Sequence, residues 1–128
     1  MDIRVSQKFS KISASKVRMV LPLLKNLKVE EAQNRLKFIQ KEAARKVLQL
    51  VKSGIAAAKE KNLEEEQLVI KSIKTDQAPS LKRFRFRSRG RTSRIKKHQS
   101  HIFLVLTNED KKDKIETSKD KDSEKKSK

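Results

Sequence analysis

The chain has 128 residues, 34 of them basic against 16 acidic, and a formal net charge of +18. That length holds one domain with an appended tail, and a hydrophobic share of 34% allows only a small core. With no cysteine there is no disulfide framework and no thiolate metal site, and no apolar run approaches the roughly eighteen residues that would span a membrane.

Met1-Asp2-Ile3-Arg4-Val5 carries no signal-peptide hydrophobic stretch, so a cytosolic chain is the simplest reading. Ile3, Val5 and Phe9 predict a short N-terminal strand. Ser13 then stands as N-cap of a first helix patterned on Val17, Val20, Leu21 and Leu24. Pro22 removes a helical hydrogen bond, which predicts a kink or a helix end near Leu21. Asn26 suits the left-handed conformation that terminates helices. A second helix is predicted from Val29 to Phe38, with Val29, Ala32, Leu36 and Phe38 inward. A third runs from Lys41 to about Lys61 on Ala44, Val47, Leu48, Val51, Ile55 and Ala58. Gly54 inside it costs about 1 kcal/mol relative to alanine, and a close helix contact would explain it. Leu68–Ile73 and Ile102–Leu106 read as strands.

Between those strands lies Lys82–Lys97, where nine of sixteen residues are cationic and none is acidic. Arg83, Arg85, Arg87, Arg89 and Arg91 recur at every second position, so an extended strand places them on one face. The other face then carries Lys82, Phe84, Phe86, Ser88 and Gly90. No core accepts five adjacent arginines; the partner implied is a dense polyanion, and nucleic acid is the obvious one. The plainer alternative is a solvated, disordered run. Against it stand the arginine forks, which pair with phosphate, the two phenylalanines, and the internal position between two strands. If the strands pair antiparallel, the chain reverses near Gly90, and each side of the hairpin reaches roughly 30–35 Å. The body is basic too, since residues 1–75 hold 17 basic and 8 acidic groups. Residues 109–128, with eight lysines, seven acids and the single apolar Ile115, are expected to be a disordered charged tail.

Catalysis finds little footing. Gly54 and Gly90 are the only glycines, so no glycine-rich phosphate loop can form. His98 and His101 are three apart in a predicted strand and face opposite ways, which prevents joint chelation. Glu64-Glu65-Glu66 sits at a helix-to-strand junction and reads as a solvated turn. The reading is of a non-enzyme without cofactor or metal.

Three segments resemble the signature of the large-subunit ribosomal protein twenty-two family. They are Ala78-Pro79-Ser80-Leu81-Lys82-Arg83, Arg87-Ser88-Arg89-Gly90-Arg91-Thr92-Ser93-Arg94-Ile95-Lys96-Lys97 and Ser100-His101-Ile102. Ile12-Ser13-Ala14-Ser15-Lys16-Val17-Arg18-Met19-Val20 looks like that family's first helix. Val29-Glu30-Glu31-Ala32 and Lys41-Glu42-Ala43-Ala44 are similar to its second and third, so the likeness spans about residues 3–107. Phe86 stands where the family commonly has proline.

The resemblance implies an α+β fold: three helices packed on a small antiparallel three-stranded sheet, with a long β-hairpin arm at about 76–100 inside a domain of residues 1–108. It implies a structural constituent of the large ribosomal subunit, cytoplasmic in the simplest case, though the sequence does not distinguish a cellular from an organellar ribosome. Such a protein binds several domains of large-subunit ribosomal RNA, supports assembly and touches neighbouring ribosomal proteins. Its hairpin tip lines the polypeptide exit tunnel, next to the nascent chain. It needs no membrane and no second copy of itself. Carried over by position, the RNA-binding residues are Lys16 and Arg18 on the first helix, and Lys82, Arg83, Arg85, Arg87, Arg89, Arg91, Arg94, Lys96 and Lys97 on the arm. The tunnel tip is Arg87, Ser88, Arg89, Gly90 and Arg91. The rival reading is a free-standing basic nucleic-acid-binding or RNA-chaperone protein.

Overall fold

The structure, a computed structural model, describes residues 1–108, so the expected tail lies outside the described residues. Three strands, β1 (Ile3–Ser10), β2 (Leu68–Phe86) and β3 (Thr92–Asn108), form one antiparallel sheet in the order β1-β3-β2. Three helices, α1 (Ala14–Arg18), α2 (Val29–Phe38) and α3 (Glu42–Glu60), accompany it. This is the expected α+β architecture.

Strand alternation decides where the core sits. In β3, Ile102, Leu104 and Leu106 are fully buried, while His101, Phe103 and Val105 between them stay half-exposed. One face of the sheet is therefore dry and the other meets water. The dry face takes Val47, Val51, Ile55 and Ala58 of α3 in one cluster with Val29, Ala32 and Leu36 of α2. Burying each larger side chain of this set contributes about 1.5–3 kcal/mol. β2 would be an open edge, but the loop before α2 covers its start. Asn26 N–H donates to the Ile70 carbonyl (3.2 Å), and Ile70 N–H donates to the Leu27 carbonyl (2.9 Å). Asn26 reaches that position in the expected left-handed conformation, with φ of 60°.

Several local expectations shift. Ser13 holds the extended N-cap geometry (φ −66°, ψ 145°) but makes no side-chain cap bond. Its hydroxyl lies 3.3 Å from that of Ser15. The first helix ends at Arg18 rather than near Leu21, and a 3-10 turn at Leu21–Leu23 follows. Pro22 lies in the first positions of that turn, where its missing N–H breaks no bond. Phe38 is 86% exposed, not inward. It lies two residues past the buried Leu36, which on a helix is a different face.

The close approach at Gly54 is to the sheet, not to a helix. A Cβ there would lie 2.8 Å from Leu106 Cδ1 and 3.4 Å from Leu104 Cδ2. Both leucines are fully buried and have little room to retreat. Gly54→Val should therefore lose about 2 kcal/mol or more of stability in urea unfolding. A melt unchanged from wild type would show that α3 rides higher on the sheet.

β2 and β3 continue together far beyond the helices. Buried residues end at Ala78 on one strand and Gln99 on the other, and nothing in 82–97 is buried. At about 3.3 Å per residue, the pair from Pro79 to the turn projects roughly 30 Å. Deleting 82–97 and joining Leu81 to His98 by Asn-Gly should keep the helical circular dichroism and a cooperative melt. Loss of the helical signal would make the arm part of the core.

Candidate nucleic-acid interface

The arm closes at its tip through a turn with two left-handed residues. Arg89 has φ of 59° and ψ of 33°, and Gly90 has φ of 67°. Arg91 N–H donates to the Ser88 carbonyl (3.4 Å), and Arg87 N–H to the Arg91 carbonyl (2.7 Å). Positive φ at both central positions matches the twist of the flanking strands. The reversal near Gly90 is where strand geometry placed it; a left-handed arginine beside it was not expected. The Arg87 guanidinium braces the turn from the side, its Nε donating to Ser93 Oγ (3.1 Å). An L-residue in the left-handed region carries about 1–2 kcal/mol of strain, which glycine escapes. Arg89→Gly should therefore slow amide exchange across 86–92, even though it removes a charge. Faster exchange in the variant would mean that side-chain contacts of Arg89, not turn strain, govern the tip.

Cross-strand register keeps the alternation that the spacing predicts along β2. Arg83 lies opposite Ile95 and Arg85 opposite Ser93, so these share one face with Lys97, opposite Leu81. Lys82 lies opposite Lys96, Phe84 opposite Arg94 and Phe86 opposite Thr92, on the other face. Arg87, whose N–H donates to the Arg91 carbonyl, continues the row of Arg83 and Arg85 with Arg91 across from it, and only Arg89, in the turn, leaves it. Both faces of the ladder are thus cationic. Among the described residues, none of the nine arm cations has a carboxylate within ion-pair distance. Like charges facing each other across a ladder, as Lys82 and Lys96 do, are destabilising without a counter-charge.

The two helix cations part company. Lys16 lines a concavity at the root of the arm with Lys11, Lys41, Lys97 and His98, and a single carboxylate, Glu42, stands among them. Arg18, two positions on, points elsewhere; its Nη2 donates to the Thr75 carbonyl (3.4 Å) and ties α1 to β2. Lys11 and Lys41 were not singled out as contacts by sequence reasoning; His98 was weighed there as a metal ligand and rejected. The hollow joins three separate segments, Lys11 with Lys16, Lys41, and Lys97 with His98, and only folding brings the three together. The site therefore consists of an exposed ladder with cations on both faces and a basic hollow where it meets the body.

The remaining polar groups hold the body together. His101 Nδ1 accepts the Phe9 N–H (3.0 Å), and the two rings meet edge to face at 4.8 Å. His98 lies on the opposite face of β3, as its spacing required. Glu65 accepts from Gln33 (3.1 Å) and lies 3.3 Å from Lys59 Nζ, while Glu64 accepts from Gln67 (2.7 Å). The acid cluster thus braces a helix-to-strand junction. Asp2 reaches Lys71 across the sheet (2.7 Å), and that hydrogen bond, with a second from Thr107, holds its carboxyl below the usual carboxylate range. The half-exposed Phe103 lies under Lys74, whose Nζ is 5.6 Å from the ring centre.

Comparison with known proteins agrees with this architecture. The family described as Ribosomal protein L22p/L17e matches residues 5–107. A Large ribosomal subunit protein uL22 from Desulfosudis oleivorans is 40% identical over 105 residues, 82% of this chain and 92% of its own. The protein of that name from Syntrophotalea carbinolica is 41% identical over 107 residues, 83% of this chain and 97% of its own. The one from Magnetococcus marinus is 41% identical over 106 residues, 82% and 94% of the two chains. The match spans both the body and the cationic arm, and the chain belongs to the L22p/L17e family of ribosomal proteins.

Proposed function

We propose that this protein is a structural constituent of the large ribosomal subunit that binds large-subunit ribosomal RNA through its arm and the hollow at the arm's root. The observation that carries the reading is the cationic ladder of residues 82–97, which has no carboxylate partner among the described residues. Lysine and arginine displace condensed counterions from a nucleic acid, which supplies affinity without reading sequence. Arginine adds forked hydrogen bonds to phosphate. Cations on both ladder faces let RNA approach from two sides, so one arm can bridge separate RNA segments. Selectivity comes from shape, because A-form RNA hides its base edges in a narrow groove. The RNA-binding residues in this reading are Lys16, Lys82, Arg83, Arg85, Arg87, Arg89, Arg91, Arg94, Lys96 and Lys97; Arg18, tied to the Thr75 carbonyl outside the hollow, serves to hold α1 on β2. The role is structural rather than enzymatic, within a cytoplasmic ribosome.

The finer part of the proposal places the tip, residues 87–91, at the polypeptide exit tunnel beside the nascent chain. Family membership and the roughly 30 Å projection support it. The neighbours of the body are then RNA and other large-subunit proteins, and the body anchors what the arm crosslinks.

Salt titration tests the RNA reading. With six to nine phosphates neutralised, binding of the isolated chain to large-subunit RNA fragments should fall with a log–log slope of roughly −4 to −8. A slope near −1 would remove the arm from the contact. For the tip, Gly90→Val forces a β-branched residue into a left-handed position, at a local cost of about 1 kcal/mol or more. The cations along both strands remain, so the variant should enter ribosomes normally. Toeprinting with a macrolide and a stalling leader peptide should then show altered stalling. Unchanged stalling, with residues 87–91 mapped far from the tunnel lumen, would defeat the tunnel assignment while leaving RNA binding intact.

A further inference from the structure

Phe84 is 69% exposed and Phe86 82% exposed, on the arm beyond the last buried residue of β2, Ala78. They are two residues apart in β2, so both rings stand on one face, about 7 Å from each other along the strand. The register puts Lys82, Lys96, Arg94 and Thr92 on that same face. Leu81 and Ile95, the other apolar residues of the arm, lie on the opposite face, paired with Lys97 and Arg83. The rings therefore bury nothing of their own fold.

We infer that Phe84 and Phe86 form a two-ring stacking platform for successive unpaired bases of an RNA strand, whose phosphates are held by Lys82, Arg94 and Lys96. The inference rests on the proposal that the arm binds RNA, and specifies what part of the RNA this face takes. An aromatic surface interleaved with cations matches a ligand that repeats a π-face and a phosphate at every step. A paired helix does not offer this, because its base faces are closed inside the stack. A protein groove fits poorly, since it would have to strip water from Lys82, Arg94 and Lys96 to reach the rings. The opposite face, with Arg83, Arg85 and Lys97, is left to the backbone of a shaped RNA helix. The two faces of one ladder thus take different RNA features.

The test uses the full chain and two probes of about twelve nucleotides, a single-stranded oligoadenylate and an abasic ribose-phosphate strand. The double variant Phe84→Leu/Phe86→Leu should bind oligoadenylate about tenfold or more weakly, with abasic-strand affinity and salt slope unchanged. Leucine keeps both positions apolar, and neither ring lies in the core, so circular dichroism should not move. The chain has no tryptophan, so Phe86→Trp introduces a single reporter. Its emission should be quenched by oligoadenylate and not by the abasic strand. Oligoadenylate affinity equal to wild type in the leucine variant, or equal quenching by both strands, overturns the platform. Failure of the RNA reading looks different: wild type would bind neither strand, and Arg83→Gln/Arg85→Gln would change nothing. In that case both proposals fall.

Discussion

The backbone ladder between β2 and β3 starts among fully buried side chains and ends in open water. At its root, Ile70 lies opposite Leu106 and Ile73 opposite Leu104, under the helices. Farther out, the same two strands pair through Arg83, Phe84, Arg85 and Phe86, where nothing is buried. An isolated two-stranded hairpin is marginal in water. This one is held because its first part is clamped between the third strand, β1, and α3, so the outer part extends a register already set. Gly54 lets α3 come close enough to Leu104 and Leu106 for that clamp. The arm's direction is thus decided at a position far from any cation in it.

Two irregularities in β2 shape the result. Ala78 pairs with Gln99 and Leu81 with Lys97, which leaves Pro79 and Ser80 together opposite His98. Proline cannot donate to a ladder, and an unpaired bulge position is where it fits. Because side chains alternate, one extra residue exchanges the faces of everything beyond it. Before the bulge, Thr75 stands on the helix side opposite Ile102; after it, Phe84 and Phe86 continue that side and Arg83 and Arg85 take the other. A second irregularity between Ile70 and Ser72 does the same nearer the core.

The charge arrangement is costly in the free chain and useful in company. Cations crowd an arm without carboxylate partners among the described residues, while the carboxylates of Asp2, Glu64 and Glu65 are engaged in holding the body. Salt screens self-repulsion of this kind, and a bound polyanion relieves it more fully. A preformed ladder reduces what must be ordered at binding. The body supplies rigidity and the arm supplies contact, and the hollow around Lys16 and Lys97 joins the two.

By itself the sequence determined the element types, the two core strands, the reversal near Gly90 and the concentration of cations in the arm. These depend on periodicity, turn chemistry and local charge, which neighbouring residues express without help from the rest of the chain. The resemblance carried by Ala78–Arg83 and Arg87–Lys97 added the three-helix, three-stranded plan. Alternation already told which arm residues share a face; only the tertiary structure decided which side of the sheet each face continues, because an extra residue at Pro79–Ser80 leaves no mark on the alternation itself. It also decided that Gly54 meets a strand, that Arg18 is occupied by Thr75, and that Lys41 and His98 gather around Lys16. Each of these is a contact between segments distant in the chain, and distance in space is settled by packing, not by local pattern.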